Sequence, residues 1–246
     1  MSGPKKAFDP KGDDTRKQSA NMSGRAVRPR LAATLILLDD SSDPRVLMGK
    51  RHGGTRFMPH KYVFPGGRVD RADSFVRTAG EIHPSALEAL AGALPERRVQ
   101  AAAAAAIRET FEETGYAIAR PLEAPHKRPA DWRDFYSCAG TPHISPLRLI
   151  ARAVTPPYRP IRYDALFFMA AAEHARSVQG PCTPELEETA WVTLDEAESL
   201  DIPSITRFVL AEVRRRLDEP DAPVPYIRME RGRHIWTPLP EGASTA

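Results

Sequence analysis

The sequence predicts an α/β fold, and three observations carry that prediction. Apolar runs of strand length recur at Leu31 to Leu38, Val46 to Lys50, Leu147 to Val154 and Ala165 to Ala171. Alanine-rich or helically spaced segments fall between and after them. No G-x-G-x-x-G fingerprint accompanies the alternation, which disfavours a Rossmann domain.

In chain order, Met1 to about Arg28 is rich in Lys, Arg, Ser, Gly and Asp, and reads as a disordered basic tail. Lys5, Lys6, Lys11, Arg16 and Lys17 are its cations, and a solvated tail is the expectation for them. Asp39-Asp40-Ser41-Ser42-Asp43-Pro44 is a turn, without calcium-loop spacing. Arg51 to Lys61 is a basic loop, and Tyr62 to Phe64 leads into the Pro65-Gly66-Gly67 turn. Ser74 to Gln100, with Gly80, Pro84, Gly92 and Pro95, is expected to fold as one or two short helices covering the site. Pro121 to Arg133 reads as a loop. Glu185 to Val192 ends in a short strand around Trp191, and Leu194 to Leu200 is a short helix. Thr206 to Leu217 places Phe208, Val209, Val213 and Leu217 at near-helical spacing. Tyr226 to Trp236 reads as a hairpin turning at Gly232.

The chemistry concentrates in one helix. Ala101 to Ala106 and Ile107 lead into Arg108-Glu109-Thr110-Phe111-Glu112-Glu113-Thr114-Gly115-Tyr116. Alanine is the best helix former, and Gly115 is placed to end the helix in the left-handed conformation. Glu109, Glu112 and Glu113 fall at i, i+3 and i+4 on one face, with Ala103, Ala104, Ile107 and Phe111 roughly opposite and suited to burial. Like charges so spaced repel, and carboxylates near a helix C-terminus oppose the macrodipole. A hard divalent cation relieves both penalties; the alternative is a solvated acidic face.

Composition sets the outer bounds. The chain has 246 residues, 41% hydrophobic and 27% charged, ordinary for a globular protein. A net charge of +3, from 35 basic and 32 acidic side chains, does not by itself imply nucleic-acid binding. Cys138 and Cys182 make no disulfide framework and no Cys-x-x-Cys pair, so a reducing cytoplasm is the default. No apolar run approaches the roughly 20 residues of a membrane helix, and no apolar core follows the basic N-terminus as in a secretory signal.

Arg108 to Tyr116 resembles the second half of the Nudix box, R-E-U-x-E-E-x-G-U with U a bulky or aliphatic residue, Thr110 being an imperfect U. Gly67 and Asp73 resemble its first half, with Asp in place of Glu. The family usually has seven residues between that acid and the Arg, whereas here Ser74 to Ile107 intervenes. Phe64-Pro65-Gly66-Gly67 favours an insertion at about 74–100 over a chance likeness. The resemblance implies an α/β/α sandwich around a mixed β-sheet spanning 29–219, with 1–28 a tail and 220–246 a C-terminal extension. It implies a hydrolase that uses Mg²⁺ or Mn²⁺ to cleave a diphosphate joining a nucleoside to another group. Glu109, Glu112 and Glu113, with the Gly67 carbonyl, are then the metal ligands. Glu109 ligates or orients the water, Arg108 holds Glu109, and Glu112 joins both in the catalytic set. One of Glu185, Glu187 and Glu188 is open as a further acid, and His52 and His60 read as loop histidines.

A narrower resemblance bears on substrate. Leu47, Arg51, Arg56 and Phe64-Pro65-Gly66-Gly67 match the spacing of the motif that precedes the box in coenzyme A diphosphatases, followed by Asp70 and Asp73. Met48 replaces Leu, while Gly49, His52 and His60 depart from the expected Thr, Ser and Gly. Arg51, Arg56 and Gly66 are thereby implied in substrate binding. Coenzyme A or acyl-coenzyme A is the leading substrate, with ADP-ribose, NADH and nucleotide sugars open. A homodimer is an open assembly state, membrane association is not expected, and nucleic acid is disfavoured as a partner. A non-catalytic Nudix-fold module that binds nucleic acid is the competing class; retention of all three box glutamates favours the enzyme.

Overall fold

The computed structural model describes residues 6–7, 27–54, 58–121, 129–180, 183 and 185–240. The strands are β1 (Lys6–Ala7), β2 (Arg30–Asp39), β3 (Arg45–Arg51), β4 (Tyr62–Val63), β5 (Gly66–Arg68), β6 (Tyr116–Ala117), β7 (Ala119–Arg120), β8 (Thr141–Pro142), β9 (Arg148–Val154), β10 (Tyr163–Ala171), β11 (Arg176–Ser177), β12 (Leu186–Thr193), β13 (Val224–Glu230) and β14 (Arg233–Leu239). The helices are α1 (Pro84–Ala89), α2 (Glu96–Thr114), α3 (Arg133–Cys138), α4 (Leu194–Ser199) and α5 (Ser204–Asp218).

Ten strands form one mixed sheet in the order β1-β14-β13-β9-β10-β2-β3-β12, with β4 on β3 and β5 on β2. Parallel pairing of β2 with β10 puts two apolar strands at the centre, buried on both faces as parallel strands require. Leu31, Ala33, Leu35 and Leu37 point into one core with α2, and Ile36 and Leu38 into a second core with α5. The sheet thus has a helical layer on each face, the α/β/α arrangement expected.

Helix α2 is longer and more deeply set than the sequence pattern indicates. It begins at Glu96, so the last residues assigned to the insertion are its first turns. Ala101 to Ile107 are buried all round rather than on one face. Small side chains let the helix lie close against the sheet while the segment around α1 and Trp132 closes over its back. Gly115 ends it at φ 75°, where only glycine is unstrained.

The insertion does not cover the site. Ala86, Ala89 and Leu90, at i, i+3 and i+4, bury α1 in the α2-side core, and no residue of 74–100 lines the cleft described below. The loop expected over Pro121 to Arg133 is not all irregular: its described end forms a short 3₁₀ turn over Ala130–Trp132, with Trp132 fully buried, and α3 follows. The 220–246 segment is integral to the sheet as far as Leu239 through β13 and β14, whose turn carries Gly232 at φ 77°. Within the expected tail, Lys6–Ala7 pairs with β14, against the expectation of disorder there. Residues 1–5 and 8–26, including Lys5, Lys11, Arg16 and Lys17, lie outside the described residues. So do Arg56 and Cys182, whereas Cys138 is a free, half-buried thiol. Among the described residues, no helix is long and apolar enough to cross a membrane.

Candidate active site

The two separated halves of the acidic motif meet in space. Arg108 is 5% exposed, and its Nε and Nη2 donate to the Asp73 carboxylate at 3.0 and 3.1 Å. Its Nη1 meets Glu109 Oε1 at 2.9 Å and Glu112 Oε2 at 3.1 Å, and Nη2 also donates to the Arg68 carbonyl at 3.2 Å. The 74–95 insertion therefore loops out without parting the site. Asp73 is further held by Trp132 Nε1 at 2.9 Å and by the Asp70 N–H at 2.8 Å. Burial works against the Arg108 charge, but the Asp73 bond and the neighbouring carboxylates outweigh it and raise its pKa.

The box glutamates are set apart from one another by environment. Glu113, expected on an open ligand face, is only 5% exposed. Its Oε2 accepts from the Gly66 N–H at 2.9 Å, and its Oε1 is buried without a partner. Burial lifts its pKa to about 8 against the opposing pull of that N–H. Burial likewise lifts Glu109 to about 7 despite Arg108, and raises Glu112. A Cβ on Gly67 would lie within 2.5 Å of both Glu109 oxygens, and one on Gly66 would lie 2.5 Å from the Ala33 carbonyl. Glycine at both positions lets the backbone approach the helix and β2 this closely.

These residues open into a cleft of about 770 Å³, within the usual range for small-molecule sites. Gly66, Gly67, Arg108, Glu109 and Glu112 line it, with Arg51 and Glu185. Arg51 Nη2 lies 3.7 Å from Glu185 Oε2, while its buried Nε has no partner. Of the three later acids only Glu185 lines the cleft; Glu187 lies 3.9 Å from His52 and Glu188 is exposed on β12. His52 and His60 do not line it. Leu47 and Met48 are buried in the two cores. Gly66 belongs to the cleft, but its N–H is already given to Glu113.

The sequence did not single out Trp132, Arg159, Arg228 or His234. Trp132 fixes Asp73, and the other three line the cleft from the β9–β10 loop, β13 and β14. Only sheet order brings them there, and their spacing in the chain carries no such signal.

A divalent cation fits the donor set. Three carboxylates stand on one helix, all with raised pKa, and one oxygen is sealed without a partner. A divalent ion stabilises the charged forms that burial disfavours. As the side chains stand, no three His, Cys, Asp or Glu groups among the described residues converge on one point. Arg108 draws Glu109 and Glu112, and Gly66 draws Glu113.

An acid-bearing helix set against a glycine turn, between the layers of a mixed α/β sandwich, defines the Nudix class. The NUDIX domain family matches residues 28–212, and the chain belongs to that family. A Caenorhabditis elegans protein carrying the name nudix hydrolase 7 is 26% identical over 172 residues, 65% of this chain and 50% of that protein. The chain thus spans about half the length of this curated relative. The crystal structure of a NUDIX hydrolase from Alicyclobacillus acidocaldarius is similar at TM-score 0.57 and 25% identity, over 75% of this chain and 90% of that one. The NUDIX domain of Shewanella oneidensis NrtR, crystallised with ADP ribose, lies further off at TM-score 0.45 and 11% identity, over 78% of this chain and 90% of that one. The expectation of a Nudix hydrolase is met at the level of family and fold.

Proposed function

We propose that this chain is a metal-dependent hydrolase of nucleoside diphosphate derivatives, with coenzyme A or an acyl-coenzyme A as the leading substrate. The observation that carries the reading is the partnerless Glu113 Oε1, sealed one helical turn from Glu109; Glu109 and Glu112 line the cleft, and Glu113 lies behind them. A buried acceptor left unmade costs about 1–3 kcal/mol, and a ligand at this point removes that penalty.

Glu109, Glu112 and Glu113 would hold the ion, Mg²⁺ or Mn²⁺, with the Gly67 carbonyl as a further candidate donor. The ion supplies Lewis-acid polarisation of the phosphoryl oxygens and lowers the pKa of a bound water. Arg108 fixes Glu109 and Glu112 by charge-assisted bonds while Asp73 anchors Arg108. Glu109, held by Arg108 where it lines the cleft, is placed to take a proton from the attacking water on a carboxylate oxygen. Arg51 presents a planar, permanently charged group to the diphosphate. The coenzyme A preference rests on Arg51, Arg56 and the Phe64-Pro65-Gly66-Gly67 spacing.

A panel of coenzyme A, its thioesters, ADP-ribose, NADH and nucleotide sugars tests both levels, with products identified by mass spectrometry. Turnover should vanish in excess chelator and return with Mg²⁺ or Mn²⁺; full turnover in chelator overturns the metal reading. Good hydrolysis of ADP-ribose or NADH without coenzyme A cleavage removes the substrate preference and leaves the diphosphatase. Salt-dependent nucleic-acid binding with no metal-dependent hydrolysis would instead make the chain a binding module.

A further inference from the structure

We propose that Arg159 anchors a second anionic group of the substrate, a phosphomonoester remote from the diphosphate that is cleaved. This deepens the diphosphatase reading and rests on it. Arg159 lies in the loop between β9 and β10, lines the cleft, and is 7% exposed. Among the described residues its guanidinium makes no hydrogen bond or ion pair; its neighbour is the Tyr158 ring, 5.8 Å from its Cζ. Its nitrogens are not among the sealed partnerless atoms, unlike Arg51 Nε, so they keep surface open to the cleft. A guanidinium so far withdrawn from water is costly unless an anion pairs it.

The charge pattern of the cleft supports an anion at this point. The acids that line it, Asp70, Glu109, Glu112 and Glu185, come from the β5 side, from α2 and from the approach to β12. The β9–β10 loop, β13 and β14 contribute Arg159, Arg228 and His234 to the lining, and no acid. Arg228 is already engaged: its Nη1 donates to Thr237 Oγ1 at 2.9 Å, its Nη2 lies 3.5 Å from Glu230 Oε2, and its Cζ lies 4.6 Å from the Tyr226 ring, which among the described residues of this wall leaves Arg159 as the cation open to an anion. Arg152 lies 4.6 Å from the same ring and is itself fixed by two 2.8 Å bonds to Asp164. The hairpin that brings Arg228 and His234 lies beyond the family match, which ends at residue 212, whereas Arg159 lies within it.

Sheet order gives the distance. From β9 to β5 is three strand steps, by way of β10 and β2, about 14 Å at ~4.8 Å per step before side-chain reach is subtracted. A diphosphate at Gly67 and Glu109 therefore leaves Arg159 to a group further along the ligand. A ribose phosphomonoester is such a group, and Tyr158 offers an aromatic surface beside it.

Binding tests this without turnover. Adenosine 3′,5′-bisphosphate and adenosine 5′-monophosphate differ by one phosphomonoester and are titrated calorimetrically into the wild type and Arg159→Gln. In the wild type the bisphosphate should bind at least about tenfold more tightly, the scale of a charged hydrogen bond. In Arg159→Gln that gap should close, with the monophosphate unaffected. Equal affinities in the wild type, or a gap kept in the variant, overturn the proposal. Should Arg159→Gln fail to fold, Arg159→Lys carries the test: loss of the planar fork must narrow the gap, and an unchanged gap overturns the proposal. Hydrolysis of coenzyme A and 3′-dephospho-coenzyme A separates the two readings. Equal KM for both removes the Arg159 subsite and keeps the diphosphatase, whereas cleavage of neither removes the diphosphatase and leaves the binding result standing alone.

Discussion

Asp73 and Glu113 are both buried acids of the same site, and their surroundings are opposite. Asp73 accepts two bonds from Arg108, one from Trp132 and one from the Asp70 backbone. Glu113 accepts one, from Gly66, and leaves its other oxygen sealed and empty-handed. A carboxylate whose lone pairs are all used can only hold structure. One that stays incomplete in a packed interior is kept for something that arrives later. Burial depth does not separate the two, since Asp73 is 2% and Glu113 5% exposed; the count of partners does.

The largest expected effect lies on the structural side of this comparison. Asp73→Asn turns an acceptor into a donor facing Arg108 and Trp132. Breaking a buried pair from one side costs about 3–5 kcal/mol, a fall in Tm of roughly 6–20 °C. Thermal unfolding measures it, and a Tm within about 2 °C of wild type, under 1 kcal/mol for a chain of this size, would show that Asp73 is not the anchor of Arg108. Glu113→Gln should behave the other way. At about pH 5, where the Glu113 carboxyl is still protonated, its Tm in chelator stays close to wild type, because the neutral amide still accepts from Gly66. Its kcat falls about 10²-fold or more, about 2.7 kcal/mol of barrier, and the rise in Tm with added Mg²⁺ is lost. Normal turnover by Glu113→Gln and by Glu112→Gln would reduce the trio to an acidic helix face.

Much of the fold was legible because its signals are local. The run Leu31 to Leu38 becomes the central strand, and alanine content announces α2. Helical spacing of Val209 and Val213 marks α5, and Gly232 marks the last hairpin. The box residues were legible for the same reason, since Arg108 to Glu113 are contiguous. What the sequence hid is what tertiary pairing decides. Asp73 reaches Arg108 across 35 positions, and Trp132 stands at the end of a Pro-rich stretch, where its i, i+3, i+4 spacing with Phe135 and Tyr136 marks a buried helical turn but nothing local ties it to Asp73. The insertion carries its own clue in Ala86, Ala89 and Leu90, whose spacing marks a core helix rather than a lid. Arg159, Arg228 and His234 share the cleft only because β13 lies beside β9.

The effect spread most gradually over conditions is a slope with pH, and it sets the incomplete carboxylate against the satisfied one most directly. Burial raises Glu109 to about 7 and Glu113 to about 8, against 4.5 for an unperturbed glutamate. The folded protein therefore binds these protons more tightly than the unfolded chain does. Their stabilising contribution is complete below about pH 4.5, falls as pH rises from there, and is gone once pH has passed through 7 for Glu109 and 8 for Glu113. In chelator, Tm should decline across that window. Glu113→Gln removes one of the two titrations, so its decline should be shallower and should level off near pH 7 rather than pH 8. Mg²⁺ acts in the opposite sense, since ligand carboxylates must be deprotonated to bind it, so its stabilisation grows over the same range. Calorimetric scans from pH 5 to 8.5, with chelator and with Mg²⁺, measure both slopes. Superimposed wild-type and Glu113→Gln profiles would mean that the buried Glu113 carboxyl is paired in solution after all, and the distinction from Asp73 would fail.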